Sequence, residues 1–481
     1  MARLPLNRAT ENARAAATRL VLMVATLLVA LVSAFMLGGC SSTRPWINQP
    51  ITSTSPLPHV ATPAAIRVEA DEPPPSIIAA VTLSGGGARA AAFGMGVLEE
   101  MKATRFRWEG RDTTLLDEVS LVSGVSGGSI LAAYWAAFGD EVFTRFEPEF
   151  LHTDFQQDYV TSVLLSPVTH FQMTSPWYGR TNVLQERLDT LYRGATFGDL
   201  RKRGGHRPDL LVTATDLTTG AAFEFTPEQF ALICSDLDSV PLSFAVASSS
   251  AVPLLLSPMT MRNYAGSCPE SQRIARLAAE GRNAQARLLN ARVESYLDIE
   301  ERPYLHLVDG GLADNLGVRG LMDRTIAGGG IDQSFRDLPA GSVHKVILVS
   351  VDSERALAEK IDRSDTVPSV FKVIDSLVFG AGSHATHETL ELMDDSARRW
   401  AAELLADRGR PGSPFASDAE IFVVHVSLRD FPDKTLREIL LHVPTALSIP
   451  ALEEKLLRSA GRQALRASPQ FQRLRDSLPS S

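Results

Sequence analysis

Ser126 lies in Gly124-Val125-Ser126-Gly127-Gly128, after an apolar stretch at 119–122 and before a helix-compatible run at 129–138. Strand, Gly-x-Ser-x-Gly and helix, in that order, are what a nucleophile elbow needs. The turn forces the serine into a tight backbone geometry, and the flanking glycines remove Cβ clashes. The hydroxyl then stands at a strand end. The Gly127 amide and the next helix N-terminus lie beside it, where they stabilise a developing oxyanion. A purely structural tight turn is the alternative for such a string.

Two further constellations share this design. Residues 77–83 read as a buried strand, followed by Ser84-Gly85-Gly86-Gly87-Ala88-Arg89 and a helical run at 90–101. Consecutive glycines expose backbone amides that no side chain shields, and such a loop binds anionic oxygen. The sixth position of a dinucleotide loop is Ala90 here, and no Lys-Ser/Thr pair follows. The loop therefore reads as an oxyanion site at Gly85, Gly86 and Gly87, not a nucleotide site. Arg89 either holds the loop through backbone carbonyls or meets a substrate phosphate. In Leu305-His306-Leu307-Val308-Asp309-Gly310-Gly311 an acid closes a short apolar strand. Open α/β sheets assemble their sites at such strand ends. Asp314 reads as a helix cap.

These three elements, in this order, resemble the patatin-like phospholipase family. The match is Gly85-Gly86-Gly87-Ala88-Arg89, Gly124-Val125-Ser126-Gly127-Gly128 and Asp309-Gly310-Gly311. Ala247-Ser248-Ser249-Ser250-Ala251-Val252-Pro253 is similar to that family's Ala-Ser-rich helix end. The resemblance covers 77–323. It implies a lipid acyl hydrolase, of phospholipase A or lysophospholipase type, acting on membrane lipid or phospholipid. It implies Ser126 as nucleophile and Asp309 as its base, with no catalytic histidine. A charged helical insertion at 269–302 departs from the pattern, and both a lid and a capping hairpin are open to it.

The residues themselves leave a histidine base open, because serine needs a base at neutral pH. His306 and Asp309 point to opposite sides of a strand. His425, in an apolar run at 421–428, follows the acid in chain order. A Ser126–Asp309–His425 triad esterase on small esters is thus an alternative. A non-catalytic envelope lipoprotein is a second.

Arg3, Arg8, Arg14 and Arg19 precede an apolar run at 20–37, then Leu37-Gly38-Gly39-Cys40. This reads as a secretory signal. The Leu-Gly-Gly-Cys string looks like a bacterial lipoprotein processing site. Lipidation of Cys40 would hold the protein on a membrane. Ser41 after the cysteine points to the outer membrane, facing the periplasm; an uncleaved inner-membrane anchor is the alternative. Residues 43–75, rich in Pro, Ser and Thr, read as a flexible tether. In an exported chain Cys234 and Cys268 are left to pair. Their bond would contribute about 3–4 kcal/mol; two buried thiols are the alternative.

The chain has 481 residues, 44% hydrophobic, with net charge −9. That is ordinary globular composition and argues against nucleic acid as a partner. No His/Cys spacing implies a metal, and no cofactor motif appears. His384 and His387, three apart, read as a solvated helix face. Strands are expected at 77–83, 119–122, 210–215, 305–308, 345–351 and 421–428, with a short one at 223–225. Helical segments separate most of them. The expected fold is α/β, a mainly parallel sheet with helices on both faces, a helical insertion and a C-terminal extension. The expected divisions are a signal peptide at 1–39, a tether at 40–75 and a catalytic region at 76–323. Residues 324–481 continue the same domain. A helix at 451–467, ended by Pro469, carries an apolar stripe from Leu452 to Ala464 that packs on the sheet or meets a membrane.

Overall fold

In the computed structural model, residues 41–52, 75–203, 207–271, 283–354, 365–369 and 381–479 are described, with 19, 22–24, 26 and 27. Strand β1 (Ile77–Leu83) is apolar on both sides, as a parallel strand covered by helices must be. Ile77, Ala79, Val81 and Leu83 enter one hydrophobic core, while Ile78 enters a second. The period-two alternation of a strand sends them to opposite faces.

Helix α1 (Gly87–Ala103) leaves β1 at once. A hairpin, β2 (Arg105–Trp108) and β3 (Arg111–Thr114), leads to β4 (Val119–Val125) and α2 (Gly127–Phe138). Next come α3 (Phe155–Leu165), α4 (Pro167–Gln172), α5 (Arg180–Tyr192), β5 (Asp209–Asp216), β6 (Ala222–Glu224) and α6 (Leu242–Ser249). Then follow β7 (Met259–Arg262), α7 (Ala284–Leu297), β8 (Tyr304–Val308) and α8 (Arg319–Gly328). The last elements used below are β9 (Val343–Asp352), α9 (Ala381–Asp407), β10 (Phe415–Ser427) and α10 (Ala451–Ala467).

The sheet order is β10-β9-β1-β4-β5-β8-β7, with β6 beside β5. From β10 to β5 every pair is parallel; β5–β8, β8–β7 and β5–β6 are antiparallel. This is the mainly parallel α/β architecture expected. Residues 324–481 do more than extend it, because they supply β9, which pairs with β1, and β10, which lies beyond β9 at the sheet edge. Helix α10 lies against α1. A Cβ at Gly96 would come within 2.0 Å of the Arg458 carbonyl, so the two backbones touch there. Leu457, Ala460 and Ala464 fill the main core, while Leu452 stays exposed. Pro469 ends this helix and opens the next, Pro469–Asp476.

Strands β2, β3 and β7 were not anticipated from the sequence, and β10, expected at 421–428, starts earlier. β7 has four residues, too few to display a period. The β2–β3 hairpin turns on Glu109 and Gly110, both at positive φ. Its Glu-Gly pair is a weaker signal than Asn-Gly or Asp-Gly. β10 starts at Phe415, ahead of the apolar run, and its register breaks between Phe415 and Glu420.

The chain divides into two units. One comprises residues up to Pro45 together with Ser166–Tyr178. Inside it, the Ser41 amide donates to Thr174 Oγ1 (2.9 Å) and Ser175 Oγ donates to the Thr43 carbonyl (2.7 Å). The Arg44 guanidinium stacks 3.2 Å above the Trp177 ring. The other unit holds the sheet and both cores. Within it, the start of the expected tether is tied down. Buried Asn48 donates to Ser235 Oγ and the Arg262 carbonyl, each at 2.9 Å, and accepts from the Arg262 amide at 2.7 Å. Pro50 bridges to Ser235, and the Ile51 amide donates to the Cys234 carbonyl (2.9 Å). Composition hid this, because one asparagine makes most of these bonds. Residues 53–74 of that stretch lie outside the described residues, as do Cys40 and most of the apolar run before it. Among the described residues no helix is long and apolar enough to cross a membrane.

Cys234 and Cys268 are joined as a disulfide. In the 269–302 insertion, α7 is joined to α8 by Asn283 Nδ2 donating to the Ile326 carbonyl (2.9 Å). Asn263 Nδ2 donates to the carbonyl of Tyr296, near its far end, at 2.7 Å.

Candidate active site

β1 and β4 are neighbours, and each ends in a tight turn into a helix. Leu83 pairs with Gly124, so the two turns start at the same level. A Cβ on Gly127 would lie 2.1 Å from the Gly87 carbonyl oxygen, closer than real Cβ atoms approach. The turns therefore meet in direct backbone contact. The N-termini of α1 and α2 converge there, each with amides that no intrahelical carbonyl can accept. Their aligned dipoles favour negative charge at that point.

Ser126 sits on the elbow at φ 49°, ψ −123°, a conformation that non-glycine residues rarely adopt. Its own amide is held by Ser249 Oγ at 2.8 Å, and Ser249 Oγ in turn donates to the Thr213 carbonyl at 2.6 Å. This serine pair keeps the strained turn in place. Ser126 Oγ donates to Asp309 Oδ2 at 2.9 Å.

Asp309 is oriented from every side. The Gly311 amide donates to its Oδ1 at 2.8 Å. Its amide donates to the Ala251 carbonyl at 3.0 Å, and its carbonyl accepts from Thr215 Oγ1 at 2.7 Å. Burial pushes the carboxyl up to about 6, against the bonds from Gly311 and Ser126, which pull it down. Among the described residues no lysine or arginine acts on it in that balance. A carboxyl near 6 is ionised at neutral pH and is a stronger base than an ordinary aspartate.

The glycine loop needs one correction. The Gly85 amide donates to the Asn315 carbonyl at 3.0 Å, so Gly85 is not an oxyanion donor. The amides of Gly86, Gly87 and Gly127 remain at the two helix starts. Arg89 also needs correction as a substrate-binding residue. Its side chain is buried, and Nη1 donates to the Val443 carbonyl at 2.8 Å. Of its two expected jobs, it does the structural one. The Ala88 amide likewise donates to the Ala446 carbonyl at 2.7 Å. The segment 443–446 thus braces the loop from more than 350 positions away.

The histidine alternatives lose their geometry. His425 is on β10, three strands from β4, and its Nε2 lies 4.0 Å from Asp352 Oδ2. His306 contacts Thr260 Oγ1 at 3.1 Å on the exposed side of β8. Among the described residues no histidine nitrogen bonds to Asp309, whose two oxygens are taken by Ser126 and Gly311. Asp314 does not cap a helix starting at 314–317 as expected: it ends a short helix, Gly311–Asp314, and its carboxylate accepts from the amides of Gly317 (3.0 Å) and Arg319 (2.8 Å), the latter the first residue of α8.

Sequence reasoning missed Ser249, Thr215, Asn315 and the 443–446 brace. Only Ser249 carried a signal, as part of the Ala-Ser-rich stretch. Asn315 and the 443–446 brace act through backbone carbonyls, which leave no residue-type signature, and the Thr215 hydroxyl is one of many strand threonines.

The patatin-like phospholipase model matches residues 81–322, half of the chain. The chain belongs to the patatin-like phospholipase family. The match spans the glycine loop, the elbow and Asp309 of this family member. No curated protein matches it significantly. Among solved structures, human GIVD cytosolic phospholipase A2 is similar at 12% identity and TM-score 0.42, covering 85% of this chain and 63% of that one. VipD from Legionella pneumophila is similar at 11% identity and TM-score 0.29, covering 84% of this chain and 67% of that one. The chain thus spans less than two thirds of the length of the human enzyme.

The burial of Asp309 has a thermodynamic signature. Its folded-state value near 6 lies above the ordinary carboxyl value, so the folded state binds a proton that the unfolded state has lost. Stability from this group therefore falls as pH rises from about 4 through about 6, and the penalty is complete above that. Asp309→Asn removes the charge and keeps the shape. It is expected to raise unfolding free energy at pH 7.5 by about 1–3 kcal/mol, with no gain at pH 4. Urea denaturation at the two pH values measures this, and equal or lower stability of the variant at pH 7.5 contradicts it.

Proposed function

We propose that the protein is a serine lipid acyl hydrolase, of phospholipase A or lysophospholipase type, anchored in the bacterial envelope. The observation that carries the reading is the 2.9 Å bond from Ser126 Oγ to a buried carboxylate whose other oxygen is held by the Gly311 amide, at the meeting point of two helix N-termini. In the first half-reaction Ser126 Oγ attacks the ester carbonyl and its proton passes to Asp309 Oδ2. The carbonyl oxygen becomes an oxyanion facing the amides of Gly86, Gly87 and Gly127. These amides are already oriented, so stabilising the charge needs no reorganisation. The tetrahedral species collapses, Asp309 returns the proton to the leaving alcohol, and an acyl-serine remains. Water then attacks the acyl-serine while Asp309 accepts its proton; as the second tetrahedral species collapses, Asp309 returns that proton to Ser126 Oγ and the fatty acid leaves. No metal or cofactor has a part in these steps.

The proposed anchor is Cys40 with its acyl chains. The Leu37-Gly38-Gly39-Cys40 string after an Arg-flanked apolar run supports this reading. The outer membrane, facing the periplasm, is the proposed site of residence.

Purified full chain incubated with phosphatidylethanolamine or its lyso form should release free fatty acid. Ser126→Ala should lower release at least about a thousandfold with the far-UV spectrum unchanged, because the covalent route is lost. Turnover near wild type in that variant would remove Ser126 from the mechanism. For the anchor, mass spectrometry of the mature N-terminal peptide should find Cys40 first in the chain and acylated. An unmodified Cys40 within an uncleaved N-terminus would contradict it.

A further inference from the structure

The turn that follows the site carries an exposed apolar tip. Ser249 and Ala251, which hold Ser126 and Asp309, lead straight into Val252-Pro253-Leu254-Leu255-Leu256. The Leu256 amide donates to the Val252 carbonyl at 2.9 Å and closes the turn. Leu254 and Leu255 stand at its apex, 62% and 56% exposed. Leu254 is held at φ 72°, a left-handed conformation that costs free energy for a leucine. Strain in an exposed apolar residue does nothing for the core.

The tip is rigidly supported. Arg180 Nη2 donates to the Leu254 carbonyl at 2.9 Å. The Thr181 amide donates to Ser257 Oγ at 3.2 Å, so the start of α5 grips the turn on its far side too. α3 joins the same support, with Tyr159 Oη donating to the Arg180 carbonyl at 3.3 Å. On α3, Val160, Leu164 and Leu165 are also exposed, the last two at 61% and 73%. Val160 and Leu164 are one turn apart, on one ridge of the helix.

We infer that the Leu254–Leu255 tip is a membrane-docking element that inserts into the lipid surface beside the active site, with the α3 ridge as its flank. The inference rests on the acyl hydrolase reading for its occupant. A lipid ester is presented by a bilayer, and the tip begins three residues beyond Ala251, whose carbonyl holds Asp309. Exposed leucines, with the cationic Arg180 at their base, suit an acyl-chain boundary with phosphates above it. A second copy of the chain is the competing occupant, and the test separates the two.

The probe is vesicles of phosphatidylethanolamine and phosphatidylglycerol. Full chain carrying Leu254→Cys is labelled with an NBD fluorophore, and the parent chain, labelled identically, corrects for Cys40. The inference predicts blue-shifted, brighter emission on vesicle addition, quenched by doxyl-labelled lipid. No lipid-dependent shift, or a concentration-dependent shift without lipid, overturns it; the latter assigns the tip to a second copy. Kinetically, Leu254→Asp/Leu255→Asp should lose about tenfold or more of its vesicle hydrolysis, since two apolar side chains no longer leave water. The same variant should keep turnover of monomeric p-nitrophenyl butyrate within about twofold, because no catalytic group moves. Equal loss on both substrates overturns the inference. If wild type hydrolyses neither ester but the probe still inserts, the acyl hydrolase reading fails and the docking element stands.

Discussion

Everything at the site depends on two adjacent parallel strands ending at the same level. β1 and β4 each turn into a helix, and the turns touch where Gly127 meets Gly87. Only residues without Cβ permit that contact. It brings two helix N-termini to one point, which neither turn could do alone. The anion-stabilising field is therefore a product of sheet order. Moving either strand one place would leave a glycine loop and an elbow with nothing between them.

A positive site needs a base that is neither neutralised nor lost to water. Asp309 meets this by burial: among the described residues no cationic side chain balances it, and its value rises to about 6. The same burial would ordinarily favour the protonated form outright. Bonds from Gly311 and Ser126 oppose that and keep the group ionised near neutrality. The molecule thus carries a destabilising carboxylate whose cost is met by the large cores on both faces of the sheet. Fixing Ser126 in a strained turn adds to that cost, and the Ser249–Thr213 linkage restrains it.

Much of this was legible in the sequence because it depends on residue type. Three glycines after an apolar run, a serine between glycines and an aspartate before glycines can be read without coordinates. So could six strands, whose apolar runs are long enough to show. What stayed hidden acts through the backbone or across long separations. The Gly85 amide is spent on Asn315, which no spacing reveals. Arg89 resembles a substrate ligand by type, yet the Val443 carbonyl claims it. The docking of Asn48 is invisible in a segment whose Pro, Ser and Thr content reads as a tether. β7 and the β2–β3 hairpin were too short for periodicity to speak.

The central claim is that Asp309, with no histidine, activates Ser126. The rate at which a fluorophosphonate labels Ser126, followed against pH, tests it most directly. The probe reports the acylation step and needs no knowledge of the natural lipid. The account predicts a rate that rises with one ionisation near pH 6, keeps that profile in His425→Ala, and loses it in Asp309→Asn. An ionisation that persists in Asp309→Asn, or that disappears in a folded His425→Ala variant, would contradict it.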